Sequence, residues 1–197
     1  MSRPLLRDVL QPVAVVTAVF LVLVLVSGVW PPMVAIESGS MDPHMQKGDM
    51  VVVTATDRFS GGTADAAGVV TADDDGDYRR FVGDGDVIIY DAPNRETPII
   101  HRARFRVDDG ENWYERANRS YLPAGVDSCD DLRNCPAPHD GYVTMGDANG
   151  VYDQAKGIAP VVREEWVRAK AGVRIPCLGW LRLVAEGSEP LREVSCW

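Results

Sequence analysis

Residues 9–36 carry no ionisable side chain, and this stretch constrains the chain more than any other feature. Its centre, residues 13–29, would span about 26 Å as a helix rising about 1.5 Å per residue, close to the thickness of a bilayer core. Arg3 and Arg7 precede it. Under the positive-inside rule they stay in the cytoplasm and the rest of the chain emerges on the other side. Trp30 suits the far interface, where indole rings concentrate. A cleaved secretory signal has a similar apolar core, but Gly-Val-Trp-Pro-Pro-Met after the run offers no small-x-small cleavage site. The expectation is therefore a single uncleaved anchor in the cell membrane. Residues 1–34 form a cytoplasmic stub and transmembrane segment, and residues 35–197 an extracytoplasmic domain.

At 197 residues the chain leaves one domain of roughly 150 residues outside the membrane, enough for a hydrophobic core. The net charge of -9 argues against a nucleic-acid partner, whose phosphates need clustered Lys and Arg. Of 20 basic residues only Lys47, Lys156 and Lys170 are lysines, a balance that would suit salty surroundings. All four cysteines follow the anchor, where an oxidising compartment permits disulfides. Cys129 and Cys135 bracket a short loop, and Cys177 and Cys196 either pair or remain thiols. Spacing leaves three connectivities open. His44, His101 and His139 lie far apart without metal-ligand spacing, so neither a metal nor another cofactor is expected.

Beyond the anchor, short Val/Ile-rich runs alternate with turn residues, the pattern of a mainly β fold. Strands are expected at residues 50–53, 87–90, 99–106, 113–116, 142–145 and 166–173. Residues 56–85, rich in Gly, Ala and Asp, read as a mobile insertion that buries little surface. Within it, Asp73-Asp74-Asp75-Gly76-Asp77 lacks the closing glutamate and helical flanks of a calcium loop, so it reads as a solvated acidic turn. Residues 105–140 form a second insertion, which Cys129 and Cys135 could staple.

Ser-Gly-Ser-Met-Asp-Pro, residues 38–43, follows the anchor closely. Its glycine and proline favour a tight turn that presents the Ser40 hydroxyl and its own N–H to a substrate carbonyl, with Ser38 as a second donor. A serine needs a base, and an unperturbed histidine titrates near pH 6.5, whereas a lysine must first be strongly desolvated. His101 ends the strand-like Pro-Ile-Ile run. Asp147 and Asp153, in Gly-Asp-Ala-Asn-Gly-Val-Tyr-Asp, supply carboxylates able to fix the imidazole tautomer.

In this order, SGSMDP, IIHR and GDANxxxD resemble the type I signal peptidases, membrane-bound serine proteases that remove signal peptides from exported proteins. They look most like the archaeal and endoplasmic-reticulum branch, in which histidine replaces the lysine of the bacterial Ser-Lys dyad. The resemblance implies a signal-peptidase-like β-rich catalytic domain without a cofactor. Ser40 is then the nucleophile, His101 the general base and later acid, and Asp153 the aspartate completing the relay. Asp147 is carried over as a supporting active-site acid and Ser38 as an oxyanion-hole donor beside Ser40. The implied substrates are secretory preproteins cut after small-x-small sites at the lipid bilayer, and contact with a translocation channel is left open. Residues 174–180, Arg-Ile-Pro-Cys-Leu-Gly-Trp, are similar to an Ile-Pro-x-Leu-Gly strand near the end of many members. Many relatives carry a second membrane helix after this tail, whereas Arg, Glu and Ser follow here. An autoproteolytic repressor would be cytosolic and use lysine, against the anchor and His101. A non-catalytic single-pass binding module would leave the three ordered motifs unexplained.

Overall fold

In the computed structural model, which describes residues 3–196 except 75 and 94, the apolar stretch forms one helix, α1 (Arg3–Ser27). Within it Arg7–Ser27, with mean hydropathy 2.7, is the one helix among the described residues long and apolar enough to cross a membrane. None of that apolar stretch is buried against the rest of the protein. The main chain after it returns at once to the domain, where the Ser27 carbonyl accepts from Ala55 N at 2.8 Å.

The strands are β1 (Met33–Ala35), β2 (Met50–Thr54), β3 (Arg79–Arg80), β4 (Gly83–Asp84), β5 (Val87–Tyr90), β6 (Ile99–Val107), β7 (Gly141–Met145) and β8 (Val167–Ile175). Six form an antiparallel sheet in the order β1-β2-β8-β5-β6-β7, while β3 and β4 make a separate ribbon. The last strand in sequence thus sits inside the sheet and joins β2 to β5. All four residues of β5 are buried, because side chains cover the sheet on both faces. Val87 and Ile89 pack with Val51, Val53, Ala169 and Ala171, whereas Ile88 and Tyr90 pack with Val69, Ile99, Ala103 and Val162. A third cluster gathers Phe105, Trp113, Val143, Tyr152 and Val161.

Five of the six expected strands form, and the sixth does not. Residues 113–116 wind into a 3-10 turn, Trp113–Glu115, whose carbonyl at Trp113 accepts from both Arg116 N and Ala117 N. The β-favouring aromatics serve the core instead: Trp113 is fully buried, its ring N–H donates to Asn134 O at 2.6 Å, and Phe105 and Tyr152 lie against it. Local propensity yields to that burial.

Residues 56–85 also differ from a loose excursion. Val69 and Val70 are buried, Asp65 accepts from the amides of Ala67 and Val69, and Ala72 N donates to Ala103 O of β6. In the acidic run, Asp73 and Asp74 bind the Thr71 hydroxyl; Asp75 lies outside the described residues. The tail motif is strand only as far as Ile175, after which Leu178–Ala185 forms helix α3. Disulfides join Cys129 to Cys135 and Cys177 to Cys196.

Candidate active site

Ser40 lies between β1 and β2 in consecutive turns, with Asp42 N bonded to Gly39 O, and His44 N and Met45 N both bonded to Met41 O. Met41 and Met45 are fully buried and plug this segment into the core, while Ser40 stays accessible. Beneath it, Gly179 and Trp180 of the tail close over Gly48 and Asp49: Trp180 N donates to Gly48 O at 3.1 Å. A Cβ on Gly48 would fall 2.0 Å from the Trp180 indole nitrogen. The tail motif therefore acts as a floor for the serine segment.

The strand register brings His101 to the same place. Residue 101 pairs with Ile88 on β5, and its ring reaches Ser40 Oγ through Nε2 at 3.0 Å. The other ring nitrogen, Nδ1, meets Asp153 Oδ2 at 2.6 Å. Asp153 opens the short helix α2 (Asp153–Lys156) and is completely buried. The same carboxylate oxygen accepts from the hydroxyls of Thr144 at 2.7 Å and Tyr90 at 3.3 Å. Its Oδ1 has no hydrogen-bond partner among the described residues. A buried carboxylate fixed in this way holds the adjacent imidazole in one tautomer and stabilises a positive charge on it.

Ser38 Oγ lies 3.3 Å from Ser40 Oγ, on the exposed side. Asp147 sits apart from the imidazole of His101. Buried Arg102 grips it with two bonds, Nε to Oδ1 at 2.8 Å and Nη2 to Oδ2 at 2.6 Å, and His44 Nδ1 meets Oδ2 at 2.7 Å. Burial pushes the Asp147 carboxyl up, but Arg102 and then His44 outweigh it and hold it below its ordinary value of 3.8. Arg102 also donates to the carbonyls of Arg80, Asp84 and Gly85. The pair ties the β3–β4 ribbon and the serine segment to the loop after β7.

Sequence reasoning placed Ser40, His101 and Asp153 in one group, and the geometry unites them. It missed Arg102, His44, Thr144, Tyr90 and the close approach at Gly146. Ala148 N bonds Ser40 O at 3.0 Å, and a Cβ on Gly146 would lie 2.6 Å from Ser40 O and 2.8 Å from His101 Nε2. Arg102 was visible beside the histidine; Tyr90 and Thr144 depend on a register that spacing alone does not supply. Lys170, paired with Ile88 from the opposite side to His101, donates to Gly68 O at 2.6 Å and Ser60 Oγ at 3.2 Å. Burial lowers its pKa against the pull of Asp86.

Residues 7–104, which include both Ser40 and His101, match the family described as signal peptidase, peptidase S26. This matched stretch belongs to that family of signal peptidases. The signal peptidase complex catalytic subunit sec11 of Schizosaccharomyces pombe is 26% identical over 155 residues, covering 77% of this chain and 66% of that protein. The region shared with that signal peptidase subunit is thus just under two thirds of its length.

Proposed function

We propose that this protein is a membrane-anchored serine endopeptidase that removes signal peptides from exported preproteins, of the histidine-using archaeal and endoplasmic-reticulum type. The observation that carries the reading is the unbroken contact from Asp153 Oδ2 through the His101 ring to Ser40 Oγ. With Nδ1–H donating to Asp153, Nε2 keeps its lone pair toward the serine hydroxyl. His101 takes that proton as Ser40 Oγ bonds to the substrate carbonyl carbon, then gives it to the departing amine as the peptide C–N bond breaks. Water, deprotonated by the same ring, releases the acyl group. The Ser40 N–H and the Ser38 hydroxyl serve the oxyanion, and Asp147 supports the serine segment through His44.

Residues 1–34 then form the stub and anchor, with the N-terminus cytoplasmic, and residues 35–197 form the catalytic domain on the exported face. The short path from Ser27 to Ser40 supports this reading, because a preprotein's cleavage site also lies just beyond an apolar segment. Holding both reactants in one bilayer raises their effective concentration. The substrate binds extended, with small residues flanking the cut.

The test is purified protein in vesicles with a labelled preprotein, the cut mapped by mass spectrometry. Cleavage after a small-x-small site is expected, reduced to background by Ser40→Ala, His101→Ala and Asp153→Ala, and unchanged by Lys47→Ala. Full cleavage by the His101 variant would overturn the assignment of the base.

A further inference from the structure

The junction between α1 and the domain is built around Arg58, in the segment just past β2. Its Nη1 donates to the carbonyl oxygens of Leu25 and of Val26, the latter at 2.7 Å. These belong to the last turn of α1, where carbonyls lack intrahelical donors and a cation meets the negative end of the helix dipole. Gly28, at φ +72°, makes the room: a Cβ there would stand 2.6 Å from the guanidinium carbon. Two main-chain bonds fasten the same junction, Ala55 N to Ser27 O at 2.8 Å and Val53 N to Pro32 O at 3.0 Å. Trp30 folds back against Phe20 of α1, with ring centroids 5.7 Å apart. From there β2 pairs with β1, Ala35 opposite Met50, and β1 leads into the Ser40 turns. A continuous bonded path therefore runs from the end of α1 to the nucleophile.

We propose that Arg58 is a positioning residue: by tying the end of α1 to the segment after β2 it fixes the height of Ser40 above the bilayer. It thereby selects which peptide bond, counted from the substrate's own apolar segment, is cut. The inference rests on the membrane-peptidase reading for its consequence, but the strut itself is testable without cleavage.

The structural measurement is pulsed EPR in nanodiscs. Labels carried on noncanonical residues replace Val19 and Val173, both exposed, so the cysteines stay untouched. The intact chain should give one narrow distance distribution. In Arg58→Ala the locked geometry should fall roughly tenfold, the scale of one charge-assisted hydrogen bond, and the distribution should broaden. Arg58→Lys, which keeps a cation beside the carbonyls, should restore part of it. An equally narrow distribution in Arg58→Ala overturns the proposal. The functional measurement uses preproteins whose spacer between apolar segment and cleavage site changes one residue at a time. Arg58→Ala should widen the accepted range while hydrolysis of a short soluble peptide stays at the level of the intact chain. An unchanged spacer optimum in the variant overturns the selection role. If the intact chain cleaves no preprotein, the peptidase reading fails and the distance measurement alone decides the strut.

Discussion

Gly146 is the residue on which the site's geometry turns most sharply. Any side chain there would enter the space between the Ser40 carbonyl and the His101 ring, both of which lie under 3 Å from where a Cβ would stand. Gly146→Ala should leave the fold intact and lower turnover about a hundredfold, the usual cost of displacing reacting groups by about an ångström. Turnover of a preprotein, with circular dichroism for folding, checks it. Thr144→Val removes a donor to the buried Asp153 carboxylate and should cost about 1.5–3 kcal/mol of stability, read from urea denaturation. At this scale the sequence announced Ser40, His101 and Asp153 through their flanking motifs. Thr144 and Tyr90 stayed hidden, because nothing in a lone hydroxyl on a strand says which carboxylate it will meet.

Among the elements, the Arg102–Asp147 pair binds the ribbon, the loop after β7 and the serine segment together. Asp147→Asn would leave a buried guanidinium without its counter-charge, which should destabilise the domain by about 3–5 kcal/mol. The acid limb carries the same signature. The folded carboxyl sits below its ordinary 3.8, so its contribution is present above the unfolded value and is lost as pH falls through the folded one. Melting temperature measured downward from about pH 5 should fall more steeply in the intact chain than in Asp147→Asn. The Val/Ile runs at 50–53 and 87–90 were legible because they are buried strands with no competing period. Helix α3 was not, since Pro176 and Gly179 look like breakers until Gly179 is seen packed on Asp49, where a Cβ would lie 2.2 Å from its carbonyl. Val69 and Val70 were lost among glycine and aspartate for a similar reason: burial of two residues does not change the character of thirty around them.

For the whole molecule, both disulfides lie outside α1 and tie segments with little regular structure. The Cys177–Cys196 link closes a loop with a sequence separation of 19 and holds the chain after α3, whose Trp180 ring N–H donates to Ser195 O. Cys196→Ser should lower stability by about 3 kcal/mol on the chain-entropy scale, and reductant should lower the intact chain's melting temperature but shift the variant less. Calorimetry with and without reductant distinguishes the two.

The place of β8 has a temporal consequence. Serine and imidazole belong to opposite halves of the sheet, and the strand that sits between those halves is the last of the six to be synthesised. A nascent chain therefore carries Ser40 and His101 on two halves that no strand yet joins, and their contact should close only when that last strand zips in.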